Sequence, residues 1–167
     1  MISVRINHVD LLKVQFALSG VAKQMDIESN SWPKRCATLF VYDVTENLLT
    51  QKFSAGYPPL SESYTQKKAY LGYPAGFWRY TGSLLMSLRP FKIGTEGWAG
   101  GVPPGTPNSR GQDITTYGLM LETGGTNSAG KTIPARPLFT PTLGEFRNTK
   151  AKKEVERSKQ NIKQRWR

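Results

Sequence analysis

Eight consecutive residues, Gly125-Thr126-Asn127-Ser128-Ala129-Gly130-Lys131-Thr132, match the pattern G-x-x-x-x-G-K-[ST] in full. In a working site of this kind the glycine-rich backbone and the lysine cradle nucleotide phosphates. That chemistry needs a buried strand before the loop and a helix starting at the Lys-Thr, because the helix N-terminus and its aligned amides hold the anion. Here Tyr117 to Glu122 reads as helix, and Pro134 and Pro137 stop a helix from starting at Lys131. No Asp at the end of a later apolar strand stands ready for magnesium. The segment is therefore read as a turn, and no cofactor is expected.

Other reactive side chains are sparse. The chain has one histidine, His8, and one cysteine, Cys36, which excludes an internal disulfide, a structural zinc site and the usual Ser/His or Cys/His pair. His8 is placed beside an N-terminal strand and Cys36 on the apolar face of a helix, both in structural roles. Glu122 is the lone acid between Asp113 and Glu145 and is expected to pair with Arg136. A glycosidase-like mechanism would need a second, matching carboxylate. No catalytic or metal-binding constellation is found, so the expectation is a protein that is not an enzyme. The mixture Lys67, Lys68, Tyr70, Tyr73, Phe77, Trp78, Arg79 and Tyr80 could stack on single-stranded bases, but no strand pattern of a base-stacking domain surrounds it, and core or subunit interface is the better reading.

Charge supplies the strongest compositional signal. There are 23 Lys and Arg against 12 Asp and Glu in 167 residues, a formal net charge of +11. An anionic neighbour or a place inside an assembly follows from that balance. From Phe146 to Arg167 nine bases face two acids, so +7 of the charge sits in the last 22 residues. The chain divides accordingly into a body, 1–145, and a basic helical extension, 146–167. In that extension Lys150, Lys152, Lys153, Arg157, Lys159, Lys163, Arg165 and Arg167 are the candidates for contact with DNA phosphate or an acidic partner, and Trp166 is an expected anchor on another chain. No stretch approaches the roughly 18 apolar residues of a membrane span, so no membrane partner is expected and the chain is read as soluble and intracellular when made.

The elements that would position these residues follow from periodicity. Ile2, Val4 and Ile6 alternate as a short strand, then Asp10 caps a helix whose apolar stripe is Leu11, Val14, Leu18, Val21 and Met25. Ser31 and Pro33 look like the cap and first turn of a second helix through Phe40, Val44 and Leu48 to a stop at Gly56, and the two helices should pack on each other. After the extended Tyr57-Pro58-Pro59 come a short basic helix over Ser61 to Leu71, an amphipathic helix from Phe77 to Leu88 and an extended run from Arg89. Gly94 to Asp113 reads as a long loop or a pair of weak strands, Ile114 to Leu121 as a helix, and Thr123 to Ala135 as a polar loop. Thr140-Pro141 should open the C-terminal helix. The expected class is α+β, with helices packed on a small antiparallel sheet and a long C-terminal helix.

Taken in order, several segments resemble the bacteriophage virion-morphogenesis and tail-completion family, whose members sit at the head-to-tail junction. They are Pro58-Pro59-Leu60-Ser61, the lysine-bearing Thr65-Gln66-Lys67-Lys68, and Tyr80-Thr81-Gly82-Ser83-Leu84-Leu85-Met86-Ser87-Leu88, similar to a "T-G-x-L-x-x-S-I" step. Tyr117-Gly118-Leu119-Met120-Leu121-Glu122-Thr123-Gly124 then resembles "Y-A-x-x-x-E-x-G", and Ile133-Pro134-Ala135-Arg136-Pro137-Leu138-Phe139 resembles "I-P-A-R-P-F". The Gly-rich stretch from Trp98 to Asp113 is longer, and the C-terminal extension more basic, than the family pattern. The resemblance implies a structural virion protein that completes the tail and joins it to the head as a homo-oligomeric ring around the DNA channel. Its implied partners are portal, adaptor or head-closure proteins on one side, the tail tube or tail terminator on the other, and packaged DNA in the lumen. Its implied locations are the host cytoplasm during assembly and then the virion. Thr81, Gly82, Glu122, Arg136 and Trp166 are the candidate interface residues. The alternative is a nucleic-acid-binding protein acting through the basic C-terminal helix.

Overall fold

A computed structural model describes residues 8–165, apart from 80, 96, 128 and 129, and of residues 8–12 the backbone alone. The expected N-terminal strand and Trp166 lie outside the described residues. The first element is a single helix, α1, His8–Thr50. This corrects the expectation of two helices packed on each other, because the chain passes through Pro33 without leaving the helix. A proline inside a helix removes one amide bond and crowds the preceding turn. Side chains on either side of Pro33 offset that loss: Arg35 Nη1 donates to Ser31 Oγ at 2.8 Å and Nη2 to Glu28 Oε2 at 2.8 Å, tying the turn before the proline to the turn after it.

The C-terminal half of α1 is the spine of the molecule. Val44 and Leu48 are completely buried and meet Trp78, Leu84, Ile114, Leu121 and Leu138 in one core, with Phe40, Phe77 and Phe139 packed around them. Each such side chain contributes about 1.5–3 kcal/mol on burial. Next come α2 (Glu62–Tyr70) and α3 (Ser83–Ser87), then β1 (Arg89–Ile93) and β2 (Gly97–Gly101), an antiparallel hairpin in which Phe91 faces Ala99. The hairpin lies against α1 at Gly100, where a Cβ would stand 2.6 Å from the carbonyl oxygen of Ala37, so only glycine permits this approach.

Asp113 caps α4 (Ile114–Thr123) by accepting from the Thr115 amide at 3.0 Å. A second small hairpin, β3 (Gly125–Thr126) with β4 (Thr132–Ile133), leads to α5 (Phe139–Asn148) and α6 (Lys150–Gln164). The fold is α+β, with helices packed on small antiparallel sheets and a long C-terminal helix, as the sequence indicates. Two expectations within it change. The amphipathic helix expected over Phe77 to Leu88 is confined to Ser83–Ser87, because Trp78 adopts φ 61° and breaks the helical path. The polar loop over Thr123 to Ala135 contains the β3–β4 hairpin. The boundary between 145 and 146 falls inside α5, and Phe146 is buried.

The last helix lies along α1. Arg35 Nε donates to Glu154 Oε2 at 2.9 Å, while Ser158 Oγ and Asn161 Nδ2 each donate to the Glu28 carboxylate at 2.8 Å. Arg35 beside it, with Asn161 and Ser158, holds the Glu28 carboxyl down at about 2 against the opposing effect of burial. Nearer the start of α6, Lys150 pairs with Asp43. Cys36, in α1, is half-buried, and burial pushes its thiol up.

Candidate functional site

A cavity of about 490 Å³ opens between α2, the loop 76–79, α4 and the β3–β4 hairpin. Its frame is built by polar clamps. Gln51, just past the end of α1, accepts from the Phe77 amide through Oε1 at 2.8 Å and donates through Nε2 to Leu48 O at 2.6 Å and to Phe77 O at 3.2 Å. Gly76 is required there: its φ is +98°, and a Cβ would meet Gln51 Oε1 at 2.8 Å. Trp78 Nε1 donates to Arg136 O at 2.9 Å, and the Arg136 amide donates to Leu121 O at 2.7 Å. Two positive φ values at non-glycine residues, Gln51 and Trp78, therefore flank one wall.

The charge in this cavity has one sign. Lys68, Arg79, Lys131 and Arg136 line it with the aromatic residues Tyr64, Phe77, Trp78 and Tyr117, and among the described residues no Asp or Glu does. Lys68 is only 4% exposed, and its Nζ donates to Gly76 O at 2.6 Å. Burial, with Arg79 nearby as a second cause, pulls its ammonium pKa down. Arg136 is buried, directs its guanidinium to Pro58 O and Pro59 O at 3.2–3.4 Å, and covers the Phe77 ring at 5.1 Å. Among the described residues none of these four cations forms an ion pair.

Arg136 and Glu122 are therefore not partners, which corrects the expected salt bridge. Glu122 sits in the last turn of α4 and reaches the start of α5, accepting from the amides of Leu138 at 2.7 Å, Phe139 at 3.0 Å and Thr140 at 2.7 Å. Leu138 at the cap position cannot satisfy those donors itself. Beside this junction Tyr57 OH donates to Pro137 O, and its phenol is pushed up to about 12 by burial and then by the charge of Glu122.

Lys131 reaches the cavity rim by a route the loop motif does not suggest. Among its described residues β3 pairs with β4, the Asn127 amide donates to Lys131 O and the Lys131 amide to Asn127 Oδ1, and the chain leaves Lys131 as β4, not as a helix. The helix N-terminus that a phosphate cradle needs after Lys131 is replaced by that strand.

The other candidate residues lie elsewhere. Gly82, at φ +78°, stands at the N-cap of α3, and nothing lies within 4 Å of where its Cβ would be, so no other element closely approaches its backbone there. Thr81 Oγ1 lies 2.7 Å from Ser83 Oγ beside that cap. Lys152, Lys153 and Lys163 on α6 and Arg165 just after it are exposed; Arg157 reaches Glu154 at 3.6 Å, Lys159 reaches Glu156 at 2.7 Å, and Lys150 is held by Asp43. Arg167 lies outside the described residues. Among the described residues no group of three His, Cys, Asp or Glu could hold a metal, and no helix is long and apolar enough to cross a membrane.

A third surface appears on the N-terminal half of α1. Val14, Leu18 and Met25 are each about half exposed, and Phe16 is 74% exposed. Three of these four belong to the stripe that periodicity assigns to a buried face. The chain matches no family model, no curated protein and no solved structure.

Proposed function

We propose that this chain is a structural virion protein of a tailed bacteriophage, completing the tail and joining it to the head as a homo-oligomeric ring around the DNA channel. The observation that carries the reading is the apolar stripe of α1. A helix that sets Val14, Leu18 and Met25 of its apolar stripe about half exposed to water, with Val21 partly exposed between them, needs another chain to cover that face. Repetition of such a contact from copy to copy closes a ring when the rotation between copies permits. The ordered resemblance of segments 58–139 to the tail-completion family supplies the setting, with portal, adaptor or head-closure proteins and the tail tube or terminator as neighbours. The exposed bases of α6 suit packaged DNA or an acidic neighbour.

Mass measurement of the purified chain tests this. A discrete homo-oligomer is expected, reduced to monomer by Leu18→Lys with Met25→Lys, substitutions on exposed positions that leave the fold intact. A monomer at all concentrations overturns the ring. A second reading, nucleic-acid binding through α6, is favoured by the exposed Lys152, Lys153, Lys163 and Arg165. It predicts a monomer whose affinity for duplex DNA falls steeply with salt and is lost when those four are changed to Gln.

A further inference from the structure

We propose that the cavity between α2, α4 and the β3–β4 hairpin is a receptor for an acidic peptide segment of a partner protein, with Arg79 and Lys68 receiving a carboxylate. The volume, about 490 Å³, is that of a ligand pocket and not of a packing defect. Its charge is one-signed: four cations line it, among the described residues no carboxylate does, and Lys68 is 4% exposed. A cation removed from water without a counterion is costly, and an incoming carboxylate relieves that cost.

The donors left over define the ligand. Lys68 gives one ammonium proton to Gly76 O and keeps two. Arg136 is committed to Pro58 O and Pro59 O, so it acts as part of the wall. The guanidinium of Arg79 has no such commitment among the described residues and presents the planar fork that grips a carboxylate in two places. The lining also includes the apolar Leu60, Leu121 and Ile133, which suit aliphatic side chains flanking the acid.

Nucleic acid suits the cavity less well. Two of the aromatic side chains that would stack bases are already engaged: Trp78 packs edge-on to Phe139 at 5.8 Å, and Phe77 packs edge-on to the Tyr57 ring at 5.2 Å and lies under the Arg136 guanidinium.

Fluorescence polarisation with the full chain tests the assignment, using a labelled octapeptide of alternating Glu and Leu, its Gln/Leu counterpart, and a labelled oligothymidylate of equal length. The Glu/Leu peptide should bind. Arg79→Gln should weaken it about tenfold, while Lys152→Gln with Lys163→Gln on α6 should change it less than about twofold. Because Lys68→Met removes a buried hydrogen bond and could unfold the loop, Lys131→Gln at the exposed rim serves as the second variant, expected to weaken binding about threefold. The proposal is overturned by no binding, by equal binding of the Gln/Leu peptide, by loss confined to the α6 variant, or by an oligothymidylate that binds more tightly and is lost with Arg79→Gln. These readouts use no oligomer, so they stand or fall separately from the ring.

Discussion

Removing the carboxylate of Glu122 should loosen the start of α5. The side chain satisfies three consecutive backbone donors, the amides of Leu138, Phe139 and Thr140, at 2.7, 3.0 and 2.7 Å. It also places a negative charge at the positive end of that helix. In Glu122→Ala all three amides lose their partner. An unsatisfied buried donor costs about 1–3 kcal/mol, and because Glu122 is only half-buried, water reaches part of the gap, so about 1 kcal/mol per amide is the working figure. The sum is about 3 kcal/mol, which for a chain of this size lowers Tm by about 6–12 °C. Glu122→Gln keeps one oxygen and loses the charge, and about half that cost is expected. Urea unfolding followed by circular dichroism, with an unchanged slope, gives the comparison. A loss below about 1 kcal/mol for the alanine variant would show that solvent caps α5 as well as the carboxylate does, and the reasoning would fail.

Arg35→Met leaves Glu28 and Glu154 facing each other without their cation; breaking a buried pair costs about 3–5 kcal/mol, reduced to about 2–3 here because Arg35 is 29% exposed, and hydrogen exchange should show α6 detaching first. Glu28 has a folded pKa of about 2, below its ordinary 4.5, so its contribution is complete above about pH 4.5 and is lost as the pH falls toward 2; exchange protection of α6 should decline in that window, and Glu28→Gln should flatten the decline. Gly100→Ala drives a methyl group into Ala37 O at 2.6 Å and should destabilise by about 1–3 kcal/mol in a thermal melt, with the β1–β2 hairpin losing protection before the rest.

Much of the local structure is legible in the sequence because it is decided locally. The bounds of α2 and α4 and the extended run at Arg89 follow from cap residues, prolines and periodicity over a few positions. What escapes is decided at long range. Ser31 and Pro33 look like a helix start, and the residues that keep α1 continuous there include Arg35, oriented by Glu154, which is 119 positions away. Phe77 and Trp78 fit an apolar helical face, yet the clamp from Gln51 and the bond from Trp78 to Arg136 O hold them out of a helix. Glu122 and Arg136 are opposite charges near in sequence, and each finds backbone groups instead of the other. The cavity is assembled from Lys68, Arg79, Lys131 and Arg136 on four separate segments, and its only local trace is the basic and aromatic run around Lys68 to Arg79.

The docking of α6 on α1 also bears on how the chain is made. Among the described residues the side-chain bonds between them join positions 107 to 133 apart, so Glu28, Arg35 and Asp43 wait for more than a hundred further residues before these partners arrive. Contacts of such high sequence separation form late, since the intervening loop must lose its freedom before they are rewarded. During synthesis the Glu28–Arg35 turn of α1 therefore emerges long before Ser158 and Asn161 exist to complete it. The final helix acts as a seal on folding, closing the structure only when translation has passed the C-terminal bases.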